Sequence, residues 1–251
     1  MLLNLSYNDF KKKYVSSYFG SVWGFVIPLV QILTFWFVFQ VGFKSGEVSG
    51  HPYILWLIAG IIPWFFISES ILAGTMVFLE YGFLVKKIVF KVELLPIVKV
   101  ISAFFNHVFF LLVLFVAFMI GGFPITIYSL QVIYYLVCLF VLLFALSLLF
   151  STLHVFVRDV GQIVSIVIQI GFWFTPIGWV FKNTIQGPVS VLFEMNPFFY
   201  IVEGYRDAFV YKVWFWEHPI LTAYFWIFVA VVFLVAIKSF NRLHSHFADL
   251  I

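Results

Sequence analysis

The chain has 251 residues, of which 64% are hydrophobic and 10% charged, with a formal net charge of +3 and a mean hydropathy of +1.12. Soluble domains carry about 25% charged residues, so this balance excludes a soluble fold and marks an integral membrane protein. The 14 Lys and Arg cluster at a few connections, which reads as topology signal and not as a nucleic-acid surface. Cys138 stands alone in an apolar run, which excludes a disulfide framework or a cysteine metal cluster.

The N-terminus is polar and basic ahead of the first long apolar run, so no cleavable signal peptide is expected. Residues 1–20 place Leu3, Tyr7, Phe10 and Tyr14 at helical spacing, with Asn4, Asn8, Lys11 and Lys12 opposite. This predicts an interfacial helix on the membrane surface, lysines toward anionic headgroups; a basic leader that only sets orientation is the plainer reading. A first span follows over about Trp23–Phe43, with Pro28 in its first third, and a second over about Tyr53–Val77, carrying Pro63, Ser68, Glu69 and Ser70 at membrane depth. A mid-span Glu costs about 2.5 kcal/mol or more, so Glu69 is expected to face protein or water.

The connection from Leu79 to Lys99 interrupts an apolar run with four lysines and two glutamates, predicting a short amphipathic docking element. Further spans are expected over about Val100–Ile120, with Asn106 and His107, over about Leu130–Phe156, over about Ile163–Phe181, and over about Ile220–Ile237. Residues 182–218 are too polar to span and too aromatic for a solvated loop; Pro188 and Pro197 divide them into two short helices that dip into the membrane and return. Ten Lys and Arg fall on the side of the termini and of residues 79–99, against four on the other. The positive-inside rule then puts both termini in the cytoplasm and the 182–218 cap outside. One domain of six spans is expected over 1–251.

Motifs for chemistry are sparse. The chain has no GxxxxGK[ST] phosphate loop, no HExxH and no GxSxG elbow, and its six His are scattered. The densest polar group is Glu194, Glu203, Arg206 and Asp207, and the last three share one helical face. They read either as a structural ion pair or, with Tyr200, Tyr205, Phe209 and Tyr211, as an outer gate. The mid-span aromatics Phe35, Trp36, Phe39, Phe172, Trp173 and Phe174 either pack helices and face lipid or line a conduit. Such faces suit sugars or a lipid tail better than ions, since an ion pathway shows rings of charge or carbonyl filters.

Four blocks carry a resemblance. YVSSYFGSVWGFVIPLVQ, with Tyr14, Gly20, Trp23 and Pro28, then GIIPWFFISESI, RDVGQIVSIVIQIGFWFTPI and NPFFYIVEGYRDAF together resemble the ABC-2 type permeases that export polysaccharides and polyol phosphates, such as O-antigen and teichoic-acid exporters. The resemblance implies an all-α homodimer of six-helix subunits in the bacterial inner or plasma membrane, worked by two copies of a separate ABC ATPase that binds the ATP and Mg. It implies an N-terminal interface helix, outer gate helices over 183–217, and a cytoplasmic coupling helix, onto which Tyr81, Phe83, Lys86, Lys87, Lys91 and Glu93 fall. Its cargo would be a glycan on an undecaprenyl diphosphate lipid, with no cofactor, metal or nucleic acid bound by this chain. Another amphipathic cargo, a membrane glycosyl or acyl transferase using Glu69 or Glu203 as base, and a channel or scaffold are the rival readings.

Overall fold

A computed structural model describes residues 2–13, 15, 18–85, 91–181, 187 and 189–250. Among them the chain is helical throughout, and no strand is present beyond one isolated bridge between Val48 and His51. Helix α1 covers Leu2–Lys12; α2 covers Trp23–Trp36 and runs on through a π-helical turn, Phe37–Gly42. Helix α3 spans Tyr53–Glu80 and the four-residue α4 Gly82–Val85. Then come α5 (Leu95–Ile120), α6 (Val132–Phe156) and α7 (Asp159–Phe174). The short α8 (Val189–Glu194) and α9 (Pro197–Arg206) precede α10 (Pro219–Leu243) and a last turn, α11 (Phe247–Leu250).

Among the described residues, five helical segments are long and apolar enough to cross a membrane: Gly20–Gly42, Tyr53–Glu80, Val92–Ile120, Ile127–Phe156 and Pro219–His246. The expected fifth span is different. Helix α7 has 16 residues and stops at Phe174, well before Phe181, for a length of about 24 Å against a ~30 Å hydrocarbon core. Pro176 is the reason: a proline disfavours the helical region for the residue before it, and Thr175 is extended at φ −96°, ψ 123°. Both Pro28 and Pro63, by contrast, lie inside their helices.

The third span also begins earlier than its hydropathy predicts, at Leu95 after a 3-10 turn over Val92–Leu94. Lys99, expected in the connection, is therefore a buried residue of α5. The hydropathy reading starts a span at the first uninterrupted apolar residue, whereas a lysine with carboxylate partners can stay inside a helix.

Helix α3 is the axis of the fold. The apolar stretch of α3 is 78% buried, against 11% for α2, because α5, α6, α7, α2 and α9 all pack on it. Its small residues admit close neighbours: a Cβ at Gly74 would collide with Ser147 of α6. A smaller core at the lysine-rich end joins Phe78 and Tyr81 to Leu95, Leu148, Phe240 and Phe247. Helix α1 inverts the simple amphipathic expectation in one respect: its buried positions are Ser6 and Asp9, while Leu3 and Tyr7 are exposed. Asn4, Asn8, Lys11 and Lys12 are exposed as well, and Tyr7 and Phe10 pack edge-on against Phe105 of α5.

Candidate functional site

Two polar constellations stand out, one at each end of the bundle. The first is built on the break after α7. A chain that leaves helical geometry in an apolar setting must still find partners for its carbonyls, and Arg206 of α9 supplies donors to two of them just beyond the helix end. Its Nη1 donates to Pro176 O and to Glu203 Oε1, both at 2.6 Å, and its Nη2 donates to Ile177 O at 2.7 Å. The guanidinium lies 3.5 Å from the ring centroid of Trp56, and Arg206 is 0% exposed. The same break receives Tyr53 Oη, which donates to Gly178 O at 2.7 Å, and Asn196 Nδ2, which donates to Thr175 Oγ1 at 2.7 Å. Asn196 also caps α9 by accepting from Phe198 N at 3.0 Å.

Gly60 of α3 makes room for this clamp. A Cβ there would stand 2.6 Å from Arg206 Nη2, so Gly60→Ala is expected to cost about 1–3 kcal/mol through overpacking. Thermal unfolding of the detergent-solubilised chain measures it, and an unshifted melting curve would show that the guanidinium has slack.

Beside the clamp lies a vestibule of about 640 Å3, lined by Phe39, Phe43, Tyr53, Trp179, Glu203 and Tyr211 and by the 45–49 connection. An adjoining cavity of about 230 Å3 shares Glu203 and Tyr211 and adds Glu194, Tyr200, Asp207 and His218. Glu203 thus borders both, anchored by one oxygen to Arg206. Ring faces beside a fixed carboxylate suit a ligand with apolar faces and hydroxyl edges.

The residues proposed for an outer gate separate here. Glu203, Tyr200 and Asp207 border a cavity. Tyr205 and Arg206 belong to the core, Tyr205 with its hydroxyl 2.9 Å from His107 Nε2. Asp207 pairs with His218 at 3.3 Å, not with Arg206. Of the aromatics expected along a conduit, Phe35 stacks on Phe172 at 5.1 Å and approaches Phe39 at 6.4 Å, so α2 and α7 share an aromatic seam ending at the vestibule. Trp36 is half-buried, and Trp173 and Phe174 are exposed, the latter stacked on Phe193 of α8.

The second constellation fastens α1. Lys99 Nζ lies 2.7 Å from both Asp9 Oδ1 and Glu80 Oε2, and Tyr81 Oη donates to Asp9 Oδ1 at 2.6 Å. Burial, then the Asp9 hydrogen bond, hold the Tyr81 phenol above its usual range, so it stays a donor. Lys13 pairs with Glu69, which also accepts from Asn106 Nδ2 at 3.1 and 3.2 Å. Both carboxylates considered as bases, Glu69 and Glu203, are thus engaged by cations. Among the residues expected to couple to an ATPase, Tyr81 is buried, Phe83, Lys91 and Glu93 are exposed, and Lys86 and Lys87 lie outside the described residues. Among the described residues no group of three or more His, Cys, Asp or Glu could hold a metal ion.

The Asp9–Lys99–Glu80 network and the Trp56–Arg206 stack escaped the sequence reading. Asp9 offered a signal, as the one acid on an otherwise basic helix; the partners of Arg206 are backbone carbonyls, which no residue pattern displays.

Spanning helices with short polar and aromatic elements at their ends define a multi-pass membrane protein. Residues 2–210 match the ABC-2 type transporter family, and the chain belongs to it. Among curated proteins, the O-antigen export system permease protein RfbA of Klebsiella pneumoniae is 27% identical over 262 residues, covering 100% of this chain and 95% of that protein. A second protein of that name and organism is 25% identical over 252 residues with the same coverage. The Myxococcus xanthus protein of that name is 26% identical over 213 residues, covering 83% and 80%.

Proposed function

We propose that this chain is the membrane permease subunit of an ATP-driven exporter of O-antigen-type polysaccharide, the cargo named for the RfbA relatives it matches along its whole length. The cargo is a glycan carried on undecaprenyl diphosphate, moved outward across the bacterial inner membrane. Two copies of the chain form the passage, and two copies of a separate ABC ATPase bind ATP and Mg and drive it from the side of residues 79–99. Helix α7 with residues 175–181 makes the fifth of six crossings, both termini are cytoplasmic, and residues 183–217 form the outer gate.

The observation that carries the cargo assignment on the structural side is the vestibule. Its rings offer flat contact area and its two carboxylates, Glu47 and the Arg206-anchored Glu203, offer acceptors, which is how sugars are held weakly enough to be passed on. The aromatic seam of Phe35, Phe39 and Phe172 supports a route leading into it. Residues 81–94 receive the ATPase, with Tyr81 passing movement inward to Asp9.

The test is co-expression with an ABC ATPase subunit of a polysaccharide exporter. The expected result is a stable complex with equal numbers of the two chains, together with ATP-dependent appearance of glycan on the outer surface. A chain that purifies without any ATPase, and whose deletion leaves surface glycan unchanged, would overturn the assignment.

A further inference from the structure

The two ion pairs that hold α1 differ in exposure. The Lys99–Asp9 pair is sealed, with side chains 7% and 6% exposed, whereas Lys13 and Glu69 are 43% and 22% exposed. Breaking a buried pair leaves an uncompensated charge and is strongly unfavourable. An exposed pair holds its geometry only weakly and is screened by salt. Between them lies a cavity of about 280 Å3, walled by Asp9, Lys13, Glu69, Glu80, Lys99 and Ser102. The apolar residues Leu3 and Tyr7 are exposed on α1, so the helix keeps a lipid-facing stripe whether or not its far end is attached.

We propose that α1 is hinged at Asp9 and latched at Lys13: the Asp9–Lys99 pair stays closed while the Lys13–Glu69 pair opens and shuts, and the cavity between α1, α3 and α5 admits water when it opens. Tyr81, which begins the connection after α3, donates to the same Asp9. The hinge therefore joins α1 to that connection, and a displacement there reaches the latch through one side chain. The device is a property of this chain alone and holds whatever its cargo.

The experiment uses the purified full-length chain in lipid nanodiscs, without ATPase or glycan. In a Cys138→Ala background, Ser102→Cys sets a thiol in the cavity wall at a position that is 5% exposed. Its rate of modification by a charged, water-soluble methanethiosulfonate reagent reports the open fraction. Lys13→Gln and Glu69→Gln are each expected to raise that rate about two- to fivefold, the range an exposed pair supports. Added salt is expected to raise it in the parent and not in Lys13→Gln. The exchanged pair, Lys13→Glu with Glu69→Lys, is expected to restore the parent rate, since the amide of Asn106 can donate or accept. A rate unmoved by Lys13→Gln, an exchanged pair that fails to restore it, or a thiol already fully reactive in the parent would each overturn the latch.

Discussion

Arg206→Met is expected to be the most damaging single substitution in the chain, lowering stability by about 3–5 kcal/mol and sharply reducing the amount of folded protein in the membrane. Methionine fills part of the volume but donates nothing. Pro176 O and Ile177 O would lose their donors, Glu203 its cation, and Trp56 the planar group stacked on it. The interior offers no water to replace them. Arg206→Lys is expected to recover only part of the loss, because an ammonium cannot present the guanidinium's fork to two carbonyls and lie flat on an indole. Thermal unfolding in detergent, with membrane-fraction yield alongside, measures both. Arg206→Met melting with the parent would mean that Tyr53 and Asn196 hold the 175–178 break by themselves.

Lys99→Met is expected to cost about 3 kcal/mol or more at the opposite end. Asp9 would then be left buried beside Glu80 without its cation, and its remaining donor would be Tyr81. Glu80→Gln provides the contrast: that side chain is 39% exposed, so its removal is expected to change stability by under about 1 kcal/mol. Limited proteolysis near the N-terminus follows the same substitutions, since a released α1 becomes a substrate. If Lys99→Met left both melting and cleavage unchanged, α1 would be held by the Lys13–Glu69 pair and by its contacts with Phe105, where Tyr7 and Phe10 pack edge-on at 6.2 and 5.7 Å.

The class of fold was legible because the solvent is a bilayer: long apolar runs and clustered lysines declare spans and sidedness without reference to tertiary contacts. The limits of those runs were less so. Thr175 is apolar enough in context to extend a hydropathy window to Phe181, and only the backbone restriction imposed by Pro176 stops the helix at Phe174. Lys99 shows the opposite error, a charge taken as the edge of a span when two carboxylates keep it within one. Helical spacing placed Glu203 and Arg206 together correctly, because that pair is three residues apart. It could not find Trp56 under Arg206 or Asp9 beside Lys99, which are distant in sequence and share no periodicity.

The arrangement around Glu69 bears on the order in which the protein is made. Helix α3 leaves the ribosome before α5 and α6, so Asn106, and Ser147, which donates to Ser70 O at 3.3 Å, are not yet available when it enters the lipid. An unaccompanied carboxylate at that depth is costly to insert. Lys13 precedes Glu69 in the chain, so synthesis from the N-terminus delivers the cation first. The segment can enter the bilayer as a neutral couple, with the rest of its burial completed as later helices arrive.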